Sequence, residues 1–221
     1  MIEYVAPHNI DDRILVRGVG ILHEGGLLAL PSDTSWLIVC SLASREGIKK
    51  LRRLSGERDE RHFTLLCSDI SQFGEFCSLD NTRFRLIKRL SPGPYVFILK
   101  TLLGTEKALG LRRREVGVRI PSHPVPLAVI KALGCPLYSI TAKRNMILSP
   151  AAEIPAEPEP AVLPPIPEED LFEGGWELEA VNGLGLILDS GEERDRIFST
   201  ILDLSGDEIK LTRPGAGAWP V

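Results

Sequence analysis

The chain has 221 residues, 43% of them hydrophobic, so it can bury a full core and is too apolar for wholesale disorder. No apolar run approaches the length of a membrane-spanning helix, and the N-terminus carries acids early without a signal-peptide core, so a cytoplasmic protein is expected. Four cysteines without a CxxC pair and four scattered histidines argue against a protein-bound metal cage, and the formal net charge of −4 is modest.

Taken along the chain, Asn9 or Asp11 is placed to cap a helix running to about Glu24. Ile14, Leu15, Gly18, Ile21 and Leu22 recur on one face, and Gly25-Gly26 ends it. LLALP and LIVCSL read as buried strands joined by the hydroxyl-rich turn PSDTSW. Ser44 caps a second helix, REGIKKLRRL, with Ile48, Leu51 and Leu54 at helical spacing. The polar loop from Ser55 to His62 feeds the strand FTLLC. Asp69 and Asp80 are placed to open two further helices, ISQFGEFC and NTRFRLIKRL. SPGP is a turn, and YVFILKT is a strand. Strand, helix and strand follow from Val116 to Thr141, and LGLILDS, STILDL and EIKLTR supply three more strands before PGAG. This mixture predicts an α/β (α+β) fold in one domain over residues 1–221.

The charge is unevenly placed. Nine acids and no base lie between Pro150 and Ala180, and without them 21 acids face 26 bases, so the rest of the chain is mildly basic. A basic body attracts polyanions such as nucleotides or RNA. Seven prolines between Pro150 and Pro167 mark residues 150–170 as an acidic, Pro-rich surface insert.

Several segments bear chemistry. The stretch from Val116 to Asn145 delivers Arg119 from one strand and Ser139 and Thr141 from the next. A guanidinium beside two hydroxyls suits a carboxylate or phosphate. It suits a structural carboxylate at a strand end equally well. PSDTSW is a candidate binding loop, yet an Asx or Ser/Thr turn needs the same residues and is favoured on that segment alone. The bases from Arg45 to His62 are diluted by acids and lack interleaved aromatics, so base stacking is not indicated. No Walker or GxGxxG loop is present, and no Ser-His-Asp set can be assembled.

In order, GGLLALPSDTSW, FTLLC, SPGPYVFIL, VGVRIPSHP, PLYSITA and FSTILDLSGDEIKLTRPGA resemble landmarks of the YrdC/YciO family, and the similarity spans about Asp12 to Gly215. The best-known members are threonylcarbamoyl-AMP synthases. The resemblance implies a twisted, open mixed sheet flanked by helices, with a concave basic cavity. It implies a reaction in which L-threonine, bicarbonate and ATP give threonylcarbamoyl-AMP and pyrophosphate, serving modification of adenosine 37 in tRNA. ATP is then a substrate, and Mg2+ arrives with the nucleotide. Matched residue by residue, Thr34, Arg119 and Ser139 would contact threonine. Thr141, Lys143, Ser199 and Arg213 would contact the nucleotide, with Arg58 a further candidate. Trp36 stands where a tyrosine is usual.

Three departures point to the YciO branch. Ser55 and Glu57 replace a Lys-x-Arg pair aimed at ATP phosphates, and Lys143 replaces an asparagine. A glutamate repels phosphate where an arginine binds it, so weak synthase activity is expected. A non-catalytic protein that binds double-stranded RNA or tRNA is the alternative expectation. No DNA or membrane partner is expected.

Overall fold

The computed structural model describes residues 1–55, 63–104, 114–146, 170–192 and 196–219. Arg58, Glu57 and most of the acidic insert therefore lie outside the described residues. The strands are β1 (Ile2–Tyr4), β2 (Leu27–Leu30), β3 (Leu37–Ser41), β4 (Thr64–Leu66), β5 (Tyr95–Lys100), β6 (Glu115–Arg119), β7 (Leu137–Thr141), β8 (Leu184–Asp189), β9 (Thr200–Asp203) and β10 (Lys210–Arg213). They form one ten-stranded mixed sheet in the order β1-β8-β2-β3-β7-β4-β6-β5-β9-β10. The helices are α1 (Asp12–His23), α2 (Arg45–Ser55), α3 (Ile70–Gly74), α4 (Asn81–Leu90) and α5 (Pro124–Leu133).

The helix starts follow local chemistry. Asp11, Asp69 and Asp80 each accept a backbone N–H of the following turn, satisfying a donor that the helix itself cannot. Ser44 does the same for Gly47 at the start of α2. His123 caps α5 through Nδ1, ahead of Pro124 at the first helical position. Gly25, with φ of 74°, lets the chain leave α1 through the left-handed region. The third helix is shorter than ISQFGEFC predicts, because it closes at Gly74 and the chain turns at once into a bridge between Cys77 and Thr101.

Strand alternation sorts the side chains into two layers. One face carries Trp36, Ile38, Cys40, Leu65, Phe97, Val118, Tyr138, Ile140 and Leu202, and it packs against Ile48 and Leu51 of α2, Phe73 of α3 and Ile87 of α4. The opposite face is covered only in part by the described helices. There α1 and α5 bury Leu28, Leu30, Leu37, Val39, Leu66, Leu137, Leu186 and Leu188 beneath Leu22, Val125, Val129 and Ile130. The registers place Ser139 opposite Thr64, Thr64 opposite Gly117, and Ile98 opposite Gly117. These residues continue that second face past the helices, and Thr64, Ile98, Gly117, Thr141 and Ile201 on it are half-buried. Among the described residues, half of one sheet face is thus left without a helix over it, as an open floor. A Cβ on Gly117 would lie 3.1 Å from Val96 and 3.3 Å from Thr64, so glycine keeps this floor low.

Candidate functional site

Arg119 ends β6 on the open half of the sheet and is 3% exposed. Its Nη2 donates to Asp33 Oδ1 at 2.7 Å. Both terminal nitrogens donate to Thr34 Oγ1 at 3.2 Å. The loop between β2 and β3 is built to present these two partners. Ser32 Oγ donates to the Ser35 carbonyl at 2.6 Å and accepts from the backbone N–H groups of Thr34 and Ser35. The hydroxyl proton of Ser32 is thereby committed to Ser35, so Thr34 Oγ1 donates to Ser32 across their 3.1 Å contact. Thr34 is left as an acceptor facing Arg119. The Ser/Thr-turn reading of PSDTSW holds: Ser32 makes the turn, and the turn carries Asp33 and Thr34 to the Arg119 guanidinium.

A second guanidinium lies nearby. Arg213 ends β10, pairs with Ile201 on the same face as Arg119, and is 7% exposed. It donates to the Ser199 carbonyl from Nε and Nη2, contacts Ser199 Oγ at 3.4 Å, and stacks 4.7 Å from the Phe198 ring centre. The chain after it folds back tightly, with the Ala216 N–H on the Phe198 carbonyl. A Cβ at Gly215 would fall 2.3 Å from that carbonyl oxygen, so only glycine fits there. Burial, and after it the like charge of Arg119, pulls the Arg213 pKa down to about 10. Burial also lowers Arg119, against the opposing pull of Asp33. Of these two buried cations, near enough to repel one another, Arg119 is ion-paired with Asp33, and Arg213 has only the neutral Ser199 and Phe198 as partners among the described residues. Buried charge in that imbalance favours an anion.

The other sequence candidates are placed as follows. Ser139 and Thr141 alternate on β7 with their side chains on this same face, and Ser139 Oγ donates to the Thr64 carbonyl at 2.9 Å, leaving its lone pairs to accept. Lys143 lies just past β7, in a bridge with Leu171. Ser55 spends its hydroxyl on the Arg52 carbonyl at the end of α2. Trp36 is a core residue, 1% exposed, with Nε1 donating to the Glu173 carbonyl. The structure thus brings together Thr34, Arg119, Ser199 and Arg213, with Ser139 and Thr141 on the same sheet face two strands from β6, across β4. Asp33 was missed as a site residue. Its signal was its place in a hydroxyl-rich loop between two buried strands, which a plain turn explains equally well.

A separate groove of about 690 Å³ lies beside Ile120, between α3, α4 and α5. It is lined by Ile70, Leu79, Phe84, Pro92, Ile120 and Leu127 among others, and it lacks both guanidinium groups. Both guanidinium groups lie outside it, on the sheet face that carries Thr64 and Ser139. Among the described residues no three acids, histidines or cysteines gather to hold a metal ion. No described helix is long and apolar enough to cross a membrane.

This geometry meets a known family. Residues 20–215 match the Sua5/YciO/YrdC family, described as "Telomere recombination", and the chain belongs to that family. The YciO protein of Escherichia coli K12 is 29% identical over 215 residues, covering 97% of this chain and 95% of that protein. The threonylcarbamoyl-AMP synthase of Mus musculus is 27% identical over 203 residues, covering 91% of this chain and 66% of the mouse protein. Among solved structures, E. coli YciO superposes with a TM-score of 0.75 at 27% identity, covering 99% of this chain and 97% of that one. P. abyssi Sua5 complexed with L-threonine shares the fold, with a TM-score of 0.76 at 21% identity, over 97% of this chain and 57% of that one. The mixed α/β sheet flanked by helices is the architecture of these proteins.

Proposed function

We propose that the open half of the sheet binds L-threonine and ATP and forms threonylcarbamoyl-AMP at a low rate. The observation that carries this reading is the pair of buried guanidinium groups, Arg119 and Arg213, of which only Arg119 has a carboxylate partner, Asp33, among the described residues. A threonine carboxylate and a nucleotide phosphate are anions of the kind such a pair accommodates. The family relationship to threonylcarbamoyl-AMP synthases supports the same choice.

The chemistry asks little of the protein beyond placement. The threonine amine and bicarbonate give a carbamate with loss of water. A carbamate oxygen attacks the α-phosphorus, and pyrophosphate leaves with the electron pair of the broken P–O bond. Arg119 and Thr34 hold the amino acid, while Ser199 and Arg213 face the nucleotide. Ile98 and Ile201 give the floor an apolar part. Positioning and charge neutralisation supply most of the acceleration. Magnesium arrives on the nucleotide's phosphates rather than in a protein cage. Ser55 and Glu57 stand where the resemblance to the family's synthases places a Lys-x-Arg pair aimed at the ATP phosphates, and the low expected rate follows from the loss of those two cations.

The test is pyrophosphate release measured with threonine, bicarbonate and ATP, omitting each in turn. Dependence on all three, lost in Arg119→Ala, is the expected result. Release indifferent to threonine would refute the reading.

A second reading draws on a different surface. The exposed side of α2 and α4 is rich in bases: Arg45, Lys49, Arg53, Arg85, Lys88 and Arg89 are all exposed, on the sheet face away from Arg119. Binding of double-stranded RNA or tRNA there would rest on phosphates and fall steeply with salt. Retention of a tRNA at 50 mM salt but not at 300 mM supports it, and no retention at either refutes it.

A further inference from the structure

The carboxyl ends of β4 and β6 form a crevice that the proposed reaction does not use. The two strands are parallel neighbours. β4 runs on into α3, which packs on one face of the sheet, and β6 runs on into α5, which packs on the other. Where adjacent parallel strands send their connections to opposite faces, the chain parts at the strand ends and leaves a cleft, and open α/β sheets bind ligands in such clefts. The groove beside Ile120 is that cleft. Asp69 and Ile70 line it from the chain after β4, Ile120 from the end of β6, and Leu127 from α5. Its volume of about 690 Å³ is that of a small-molecule site.

The polar groups of the groove leave a ligand one kind of partner. Asp69 is its anion, but both carboxylate oxygens are engaged. Oδ1 accepts from the Ser71 hydroxyl and the Gln72 N–H, and Oδ2 accepts from the Ser68 hydroxyl. These bonds, that of Ser71 first, hold the carboxyl below the usual carboxylate range. They also commit the hydroxyl protons of Ser68 and Ser71. Two donors remain. The Lys88 ammonium pairs with no carboxylate among the described residues, and the Ser91 hydroxyl makes no side-chain hydrogen bond among them. One helical turn before Lys88, Phe84 is 41% exposed and gives the groove an uncovered aromatic wall. Donors beside an apolar trough specify an anionic head on an apolar body. A cationic ligand would meet Lys88 and find Asp69 already satisfied. A small hydrophilic anion would leave Phe84 and Leu127 bare. We propose that this cleft is a second binding site, for a small amphipathic carboxylate of the medium-chain acyl or arylalkyl type, with its head on Lys88 and Ser91 and its body along Phe84, Ile120 and Leu127. The site is independent of Arg119 and of the reaction proposed above.

The experiment is isothermal titration of the full chain with octanoate, with acetate, which has the head without the body, and with octylammonium, which has the body with the opposite charge. Wild type is expected to bind octanoate roughly tenfold or more tighter than acetate, through burial of the chain. It is expected to prefer octanoate to octylammonium by roughly tenfold, since a partly exposed ion pair is gained in one case and a like-charge contact in the other. Lys88→Glu should reverse that second preference. Gly74 also lines the groove, and a Cβ there would meet nothing within 4 Å, so Gly74→Phe should fold normally and weaken octanoate by roughly tenfold. Octanoate bound no tighter than acetate overturns the proposal. So does octanoate binding left unchanged by either variant, which places the carboxylate elsewhere, at Arg119 for one. A dimer of this chain seen by sedimentation, dissociated by Gly74→Phe and indifferent to octanoate, overturns it in favour of self-association through the groove.

Discussion

The two halves of one sheet face show how this chain separates stability from function. Under α1 and α5, β2, β3 and β8 carry leucine and valine, and the layer is closed. Farther along the same face, β4, β6 and β7 carry Thr64, Gly117, Arg119, Ser139 and Thr141, and several of these stay half-buried. The backbone lattice is continuous across the boundary. The difference lies in which side chains alternate onto the face and whether a helix lies over them. The closed half is held by apolar burial, which is non-directional and tolerant. The open half is held by a few directed bonds to charge, which fail when one partner is removed.

Substitutions at matched positions sharpen that contrast. The largest effect is expected for Arg119→Ala, which strands the Asp33 carboxylate in a nearly dry site. Urea unfolding should show a loss of about 3–5 kcal/mol, the usual result of breaking a buried pair from one side. Arg119→Ala with Asp33→Ala should recover much of it, and no recovery would show that the pair is not the source. Leu186→Ala, in the closed half, should cost about 2–5 kcal/mol through transfer and cavity terms. It should leave threonine affinity within about twofold, because no bond to ligand changes. Ser139→Ala should behave the other way: a stability change near 1 kcal/mol, with ligand affinity reduced several-fold by calorimetry.

The smallest effect is a pH dependence. Arg213 is pulled down to about 10 in the folded protein, by burial first and Arg119 second. A base with a lowered pKa releases its proton in the folded state before the unfolded state does. Its charged form therefore costs stability below pH 10, and that cost fades as the pH rises above it. An anionic ligand reverses the balance by favouring the charged form. ATP affinity should hold constant from pH 7 to 9 and fall as the pH passes 10. A constant affinity to pH 10.5 would place the nucleotide away from Arg213.

Much of the fold was legible because its signals are local. Asp11, Asp69 and Asp80 mark helix starts through a side chain and a backbone N–H only two or three residues on. The strands LLALP, LIVCSL, YVFILKT and LGLILDS announce themselves as apolar runs between turn residues. β1 escaped notice because three residues, Ile2 to Tyr4, are too few to show alternation, and the strand exists only through its pairing with β8. The helical turn at Gly175–Ala180 likewise depends on a distant partner, the Asp189 carboxylate that accepts from the Gly175 N–H.

The sequence alone determined where chain segments turn, which residues seek the core and which hydroxyl and cationic groups were available for a site. These follow from backbone sterics, capping and hydrophobic periodicity, all of which act over a few residues. Only the tertiary structure decided that Asp33 and Arg119, 86 residues apart, would form a pair with one vacant atom on each side. It also decided that Arg213 would arrive beside them from the last strand. Charge partners are chosen by sheet order and by how much water is excluded, and neither quantity is written in the spacing of residues along the chain.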